Sequence, residues 1–381
     1  MEKRNEQHTV IIPSHNTLEH LKNTYLSIKK YAPNVPMIII DDASEDGTDI
    51  WLNSLDNKNL TVIIDKERKG HTYWYDEGMR RAKTPIVSIL HSDMIIGPGY
   101  FENMLKHLKP LSVVCATRIE PPIHPAGLEK HVQHFGIDHN DFTWDAFENF
   151  VIDTAKKDKD VTTKGIFAPW MLYKEDHLSI GGHDQRFTPY GYEDSDIFNR
   201  WIQAGYEMTQ SRDSLCYHMT CRGHRWNGGV GVENSDYKET MGRCRREFLR
   251  KWGEWIQNDS YQYPIIHPKY DKGLIIKNCN EQFIEMLEPW FDTLYVDCDY
   301  KNYIEKESKR TITDLFDRIK PYDNEKQNNI LVSVDASSFN QQDYIFLNQL
   351  AAIIQDSGQI GDFELGNLKI NIINMKEYLV N

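Results

Sequence analysis

The sequence predicts an α/β fold: a largely parallel sheet flanked by helices, followed by a second, smaller α/β domain. Three observations predict it. Short β-rich apolar runs alternate with longer stretches of helical periodicity through the first half, the pattern of successive βα units. Polar, aspartate-bearing clusters follow several of those runs at once, where the C-terminal edge of a parallel sheet lies. A tyrosine- and proline-bearing stretch around Pro264 and Pro268 then separates this series from a second one. With 381 residues the chain has room for two domains of ordinary size.

The elements follow in order. Residues 9–12 form a continuous run that predicts a buried strand, stopped by Pro13. Leu18, Leu21, Tyr25 and Ile28 recur at helical spacing, and that helix ends before Pro33. Residues 37–40, 60–64 and 86–90 predict the next three strands, with a helix over 72–82 before the last. Another strand is expected at 113–116. From 119 to 164 the pattern loosens around Pro121, Pro122 and Pro125, which predicts a loop-rich insertion with one helix near 144–152. A strand at 165–173, a helix at 194–204, a strand at 207–217 and an amphipathic helix at 237–255 complete a first domain over 1–262, with halves of about 8–118 and 165–255. The second domain, 271–381, is expected to hold strands at 274–277, 293–296, 330–334 and 368–373, and helices at 281–287, 312–319 and 343–354. It shows no catalytic motif, and acceptor recognition, homo-oligomerisation and docking of a partner are all open to it.

Bulk properties narrow the function. The formal net charge of -13 disfavours a nucleic-acid partner, which usually meets a basic surface that displaces counterions. No apolar run approaches the roughly 20 residues that cross a bilayer, and residues 1–8 are polar, unlike a secretory signal. The six cysteines lack C-x-x-C spacing and read as free thiols in a reducing compartment. A cytoplasmic location follows by default.

Three clusters carry the chemistry. Pro13-Ser14-His15-Asn16 follows the first strand, Asp41-Asp42-Ala43-Ser44-Glu45-Asp46-Gly47-Thr48 the second, and His91-Ser92-Asp93 the fourth. Each alone reads as a polar turn; three on one sheet edge suggest a ligand site. Carboxylates there can accept from a ribose hydroxyl or a base N–H, and one beside a diphosphate can hold Mg2+ or Mn2+.

In these residues the chain resembles the family 2 glycosyltransferases of the GT-A fold, a Rossmann-like nucleotide-binding sheet flanked by helices. The resemblance covers roughly residues 8–220. It rests on P-x-x-N after strand one, D-D-x-S-x-D-G-T after strand two and a degenerate D-x-D ending at Asp93. Downstream, Gly181-Gly182-His183-Asp184-Gln185-Arg186-Phe187 resembles G-G-F-D-E-x-F, and Tyr192-Glu193-Asp194-Ser195-Asp196 the acceptor-side E-D-x-D.

The resemblance implies roles position by position. Pro13, His15 and Asn16 would line the nucleoside pocket together with Asp41 and Ser92, and Asp42 would contact the base or ribose. Gly70 matches the glycine of a loop that closes over uracil, with Asp76 and Gly78 at the end of that motif. Asp93 would ligate the metal. Asp194 matches the catalytic base, and Glu193 would contact the donor or acceptor sugar. His91 stands where the first acid of D-x-D is expected; histidine binds Mn2+ but suits Mg2+ poorly, so His91 either points to Mn2+ over Mg2+ as the divalent cofactor or stands behind the ligands without touching the metal. Trp74 and Tyr75 depart from the small and basic residues found in relatives.

Beyond those motifs, His218 is expected at a strand end, where several metal-dependent relatives supply a third ligand from a histidine. In the glycine-bearing stretch 222–229, Arg222 and Arg225 could clamp phosphates while Trp226 packs on a sugar face. Tyr192, with Tyr190 and Trp170, could stack on acceptor sugars, although Trp170 in a strand fits the core as well. His124, His131, His134 and His139 read as surface residues.

The expected reaction is inverting transfer of a sugar from a nucleoside-diphosphate sugar, with uridine the expected base, to a hydroxyl of a glycan, glycolipid or protein. A retaining polypeptide-type sugar transferase is the alternative, and a non-catalytic carbohydrate-binding or scaffold protein on the same fold is a second. A nucleotidylyltransferase would need glycines straight after strand one, and residues 13–17 have none. A dinucleotide dehydrogenase would need G-x-G-x-x-G there.

Overall fold

The computed structural model describes residues 8–220, 225–226 and 230–380. The chain divides into two compact units, residues 1–240 with 258–264 and residues 241–257 with 265–381.

In the first unit, β1 (His8–Ser14), β2 (Met37–Asp42), β3 (Leu60–Asp65), β4 (Ile86–Ile89), β5 (Met94–Ile96), β6 (Ser112–Glu120), β7 (Lys130–Val132), β8 (Thr162–Thr163), β9 (Trp170–Tyr173) and β10 (Glu207–His218) join in one sheet. Its main path runs β3-β2-β1-β4-β9-β6-β10-β5, with β7 beside β6 and β8 beside β10. Neighbours along β3-β2-β1-β4 are parallel, β9 is antiparallel to both of its neighbours, and β5 is antiparallel to β10.

The predicted continuous apolar runs are buried on both faces. Val10 and Ile12 of β1 pack with Leu21, Tyr25 and Ile28 of α1 (Leu18–Tyr31). Ile11 faces the other way, toward Trp74, Tyr75 and Met79 of α3 (His71–Arg81) and Ile197, Phe198 and Trp201 of α7 (Glu193–Gln203). Full burial of side chains such as these contributes roughly 1.5–3 kcal/mol each. The remaining helices of this part are α2 (Thr48–Asn53), α4 (Tyr100–Leu105), α5 (Trp144–Lys157) and α6 (Lys174–Ser179).

Two strand limits differ from expectation. Pro13 does not stop β1, which continues to Ser14 with Pro13 opposite Ile40. Val10 N–H donates toward the β2 side, so alternation points the proline nitrogen at β4, whose ladder with β1 has already ended at Ile89 opposite Ile11. No ladder bond is lost. The strand expected over 165–173 starts only at Trp170, after Pro169, which has no N–H to give.

In the second unit, β11 (Lys272–Lys277), β12 (Thr293–Val296), β13 (Ile319–Pro321), β14 (Ile330–Asp335), β15 (Gly361–Leu365) and β16 (Leu368–Ile372) form a sheet in the order β13-β12-β11-β14-β16-β15. Its helices are α9 (Glu281–Leu287), α10 (Lys301–Glu307), α11 (Leu315–Arg318), α12 (Gln341–Asn348) and α13 (Leu350–Ser357). The helix expected over 312–319 shrinks to α11, because Ile319 turns into β13 beside β12. The one expected over 343–354 is two helices, which meet at Gln349.

α8 (Ser235–Trp252), expected in the first domain, belongs from Met241 onward to the second unit. Its Arg250 explains why. The buried guanidinium bonds Glu288 at 2.7 Å, Glu307 at 2.6 Å and Glu247 at 2.7 Å. Arg246 and Arg318 add contacts to the same Glu288.

Candidate active site

The first three strand-end clusters are laced to one another. Asn16 N–H donates to Ser44 Oγ at 2.9 Å, and Asn16 Oδ1 accepts from Glu45 N–H at 2.8 Å. Leu18 N–H, an orphan at the start of α1, donates to Asp46 of the acidic turn at 2.8 Å. His15 Nδ1 lies 2.7 Å from the Asp42 carbonyl oxygen, and the Thr17 hydroxyl joins the Ser92 hydroxyl at 2.9 Å. Asp41 is buried and accepts from Ser44 N–H; burial pushes its carboxyl up. The structure thus brings Pro13, His15, Asn16, Asp41 and Ser92 to one edge.

Asp42 and Asp76, expected at the nucleotide, have carboxylates that accept from protein donors. The Asp42 carboxylate accepts from Lys69 N–H at 2.7 Å, Gly70 N–H at 2.8 Å and Trp74 Nε1–H at 2.7 Å. It therefore fixes the loop and first turn of α3, and Trp74, a departure from relatives, is one of its donors. Gly70, at φ +84°, permits a close approach: His71 N–H donates to the Pro189 carbonyl at 2.8 Å. Asp76 is buried and takes His177 Nε2 at 3.0 Å, His183 Nδ1 at 2.7 Å and His183 N–H at 2.8 Å. Burial would raise its carboxyl, but the neighbouring His183 and His177 more than reverse this and hold it below the carboxylate range.

The metal candidates converge because of strand register. β5 pairs antiparallel with β10 so that Met94 faces His218, and Met219 N–H donates to the Asp93 carbonyl at 3.0 Å. His218 Nε2 then lies 3.7 Å from Asp93 Oδ1. His91 follows β4, its ring centre 6.0 Å from that of His218. One ligand atom from each of His91, Asp93 and His218 falls within 4.8 Å of the others. Opposite ligands of an ion with bonds of about 2.1 Å stand roughly 4.2 Å apart, so one ion fits with small shifts. His218 Nε2 is buried and without a hydrogen-bond partner, as a ligand nitrogen awaiting a cation would be. Burial, then the neighbouring His218, lowers His91 to about 3, so it is neutral and able to ligate at neutral pH.

The sequence reading missed the group behind His218. Glu120 closes β6, which runs parallel to β10 with Ile119 opposite Tyr217. Glu120 Oε1 lies 3.1 Å from His218 Nδ1, and its oxygens also meet Arg118 at 2.6 Å and Lys130 at 2.7 Å. The signal was available in a charged residue ending a nine-residue buried strand, beside prolines that had been read as loop. His71 was missed as well: it is half-buried, its ring centre is 6.2 Å from that of His91, and desolvation lowers it to about 4.

In the segment expected to face the acceptor, Tyr192 at φ +69° precedes α7, whose first turn carries Glu193 and Asp194. Burial, then the charge of Asp194, raises Glu193 to about 8, while burial also raises Asp194. The buried Tyr75 hydroxyl is pushed up by burial and then by Asp194, Glu193 and Asp93, so both acid groups flank one side chain. Trp170 is fully buried and stacks on His177 and His183, which makes it core. Arg225, expected to clamp phosphate, instead pairs with Glu233 at 3.0 Å and lies over Trp226 at 4.5 Å. Trp226 Nε1–H donates to the Thr220 carbonyl at 3.0 Å. Arg222 lies outside the described residues. His139, read as a surface residue, groups with His20 and Asp138.

This sheet, with its acidic clusters at the strand ends, has the α/β architecture of the GT-A type. Residues 9–171 match the family model described as Glycosyl transferase family 2, and residues 155–223 the one described as N-terminal domain of galactosyltransferase. Over residues 9–171, less than half of the chain, the sequence is similar to the family 2 glycosyltransferases. Among curated relatives, the "Uncharacterized glycosyltransferase YfnE" of Bacillus subtilis (strain 168) is 26% identical over 255 residues, 55% of this chain and 64% of its own. A "Validoxylamine A glucosyltransferase" of Streptomyces hygroscopicus subsp. jinggangensis (strain 5008) is 24% identical over 230 residues, 54% of each. The chain thus spans between about half and two thirds of the length of these relatives. Among solved structures, GalNAc-T7 with UDP, GalNAc and Mn2+ has a TM-score of 0.45 at 15% identity, covering 66% of this chain and 50% of its own. Mannosyltransferase PcManGT from Pyrobaculum calidifontis, in complex with GDP-Man and Mn2+, has 0.41 at 20%, covering 57% and 58%. No described helix is long and apolar enough to cross a membrane.

Proposed function

We propose that the chain transfers a sugar from a uridine-diphosphate sugar to an acceptor hydroxyl, with inversion at the anomeric carbon. The observation that carries the reading is the convergence of His91, Asp93 and His218 beside the strand-end clusters. Those three residues would hold a divalent cation, Mn2+ in preference to Mg2+ because two donors are imidazoles. When bound, the cation would supply charge neutralisation for the departing diphosphate.

The chain's own groups supply the rest. His15, Asn16 and Ser92 would position the nucleoside on the loop edge. Asp194 would take the proton of the acceptor hydroxyl as that oxygen attacks. Its raised pKa suits the task, since a carboxylate of ordinary acidity is a weak base at neutral pH. Glu193, raised to about 8, is protonated there and would donate a hydrogen bond to a sugar hydroxyl. The acceptor is a glycan, glycolipid or protein, and the second unit would recognise it or pair two copies of the chain.

NMR analysis of the product anomer tests the reading. Inversion is expected, with Asp194→Asn lowering turnover about 10²–10⁴-fold. A retained configuration would remove Asp194 from its role as base.

A further inference from the structure

We propose that Glu120 is a positioning residue for the cation site: it fixes the tautomer and ring direction of His218 so that Nε2 faces the metal. The inference rests on the reading of His91, Asp93 and His218 as that site.

Glu120 and His218 end neighbouring parallel strands, so backbone register alone sets them side by side. The carboxyl is buried, with 2% of the residue exposed, and its oxygens have three partners. Arg118 Nη1 and His218 Nδ1 share Oε1, at 2.6 and 3.1 Å, and Lys130 Nζ takes Oε2 at 2.7 Å. Both oxygens already accept from cationic donors, Arg118 and Lys130, so the carboxylate meets the ring as an acceptor and the hydrogen facing it sits on Nδ1. The lone pair is left on Nε2, which is 3.7 Å from Asp93 and without a hydrogen-bond partner.

A purely structural ion pair would end at Arg118, Lys130 and Glu120. It gives no reason for drawing in a histidine whose other nitrogen stays buried and unpaired. Carboxylate–imidazole–metal relays have this arrangement, and loss of the carboxylate there typically weakens metal binding 10–100-fold.

The test uses Mn2+ alone. Titration of the full chain, followed by the electron paramagnetic resonance of free Mn2+, compares wild type with Asp93→Ala, Glu120→Gln and the double variant Glu120→Gln/Lys130→Met. The double variant removes one charge of each sign, so no ammonium is left unpaired in the interior. Expected are loss of binding in Asp93→Ala and a 10–100-fold weaker Kd in both Glu120 variants, with the melting temperature in chelator lowered in Glu120→Gln and less so in the double variant. Cobalt substitution should show altered d–d bands in Glu120→Gln, a signature that a structural role would not move. Unchanged Mn2+ affinity in the Glu120 variants, with Asp93→Ala still deficient, overturns the positioning role alone. Mn2+ binding absent from wild type, or unaffected by Asp93→Ala, overturns the cation-site reading itself. Nitrogen-15 NMR of the wild-type His218 ring supplies a check free of variants: protonated Nδ1 is expected, and protonated Nε2 contradicts the proposal.

Discussion

The Asp76 carboxylate accepts a hydrogen bond from His183 Nδ1 at 2.7 Å, joining α3 to the Gly181–Gly182 turn. A Cβ on Gly182 would come within 2.2 Å of the same carboxylate, so the turn can approach only as glycine. Arg200 of α7 holds that turn from the other side through the Gly182 and Ile180 carbonyls. Asp76 is thus a buried latch between the two halves of the first unit.

Asp76→Ala should therefore destabilise the first unit by roughly 1.5–3 kcal/mol for each charge-assisted bond lost, measured by denaturant unfolding. The pKa of Asp76 is depressed on folding, so its contribution is present above its ordinary value of 3.8 and lost as pH falls below it. The variant should show a flatter acid limb than wild type. Mn2+ affinity should be untouched, because the latch and the cation candidates share no residue.

Gly70→Ala should act at a distance from the cation. The added Cβ would lie 2.3 Å from Pro189 Cα and 2.5 Å from its carbonyl oxygen, and φ is +84°. Strain of this kind costs roughly 1–3 kcal/mol. Pro189 leads directly to Glu193 and Asp194, so calorimetry should show the loss and turnover should fall with it. A variant as stable and active as wild type would show that the segment yields freely.

Glu193 sets a pH dependence of stability. Its ordinary value is 4.5 and burial, with Asp194, raises it to about 8 in the folded chain. The folded state then holds a proton that the unfolded state has lost, so stability falls as pH rises from about 4.5 to about 8. Glu193→Gln, which cannot ionise, should lose less stability over that window by an amount on the order of a few kcal/mol. Melting curves at pH 5 and pH 8 decide it, and equal slopes for both proteins would contradict the assignment.

In the second unit, Glu288→Leu should leave Arg250, Arg246 and Arg318 without their shared partner. Breaking a buried pair from one side costs about 3–5 kcal/mol, a large share of a domain's stability. Glu288 is fully buried, and although burial raises its carboxyl, Arg318 and Arg250 bring it down to about 2. The unit should therefore also weaken as pH falls from about 4.5 toward 2.

Much of this architecture was legible because its signals are local. Val10 to Ile12 and Met37 to Ile40 read as buried strands from their apolar runs, and Leu21, Tyr25 and Ile28 as one helix face. The cation candidates were legible only through resemblance, since nothing local brings His218 to Asp93; antiparallel pairing of β5 with β10 does so. Glu120 was hidden for the same reason, as its partner is 98 residues away. For Asp42 and Asp76 the sequence is ambiguous, because an aspartate in a strand-end motif looks the same whether it faces a ligand or caps a loop. Only the donors around it, Trp74 Nε1–H or His183 Nδ1–H, tell the two apart.

The most direct test of the account is binding of uridine diphosphate to the wild-type chain, with and without Mn2+, read as a thermal shift. The account predicts a Mn2+-dependent stabilisation, about 2.7 kcal/mol at 100 times the dissociation constant, that disappears in Asp93→Ala. A shift of equal size without Mn2+, or one that survives Asp93→Ala, would contradict it.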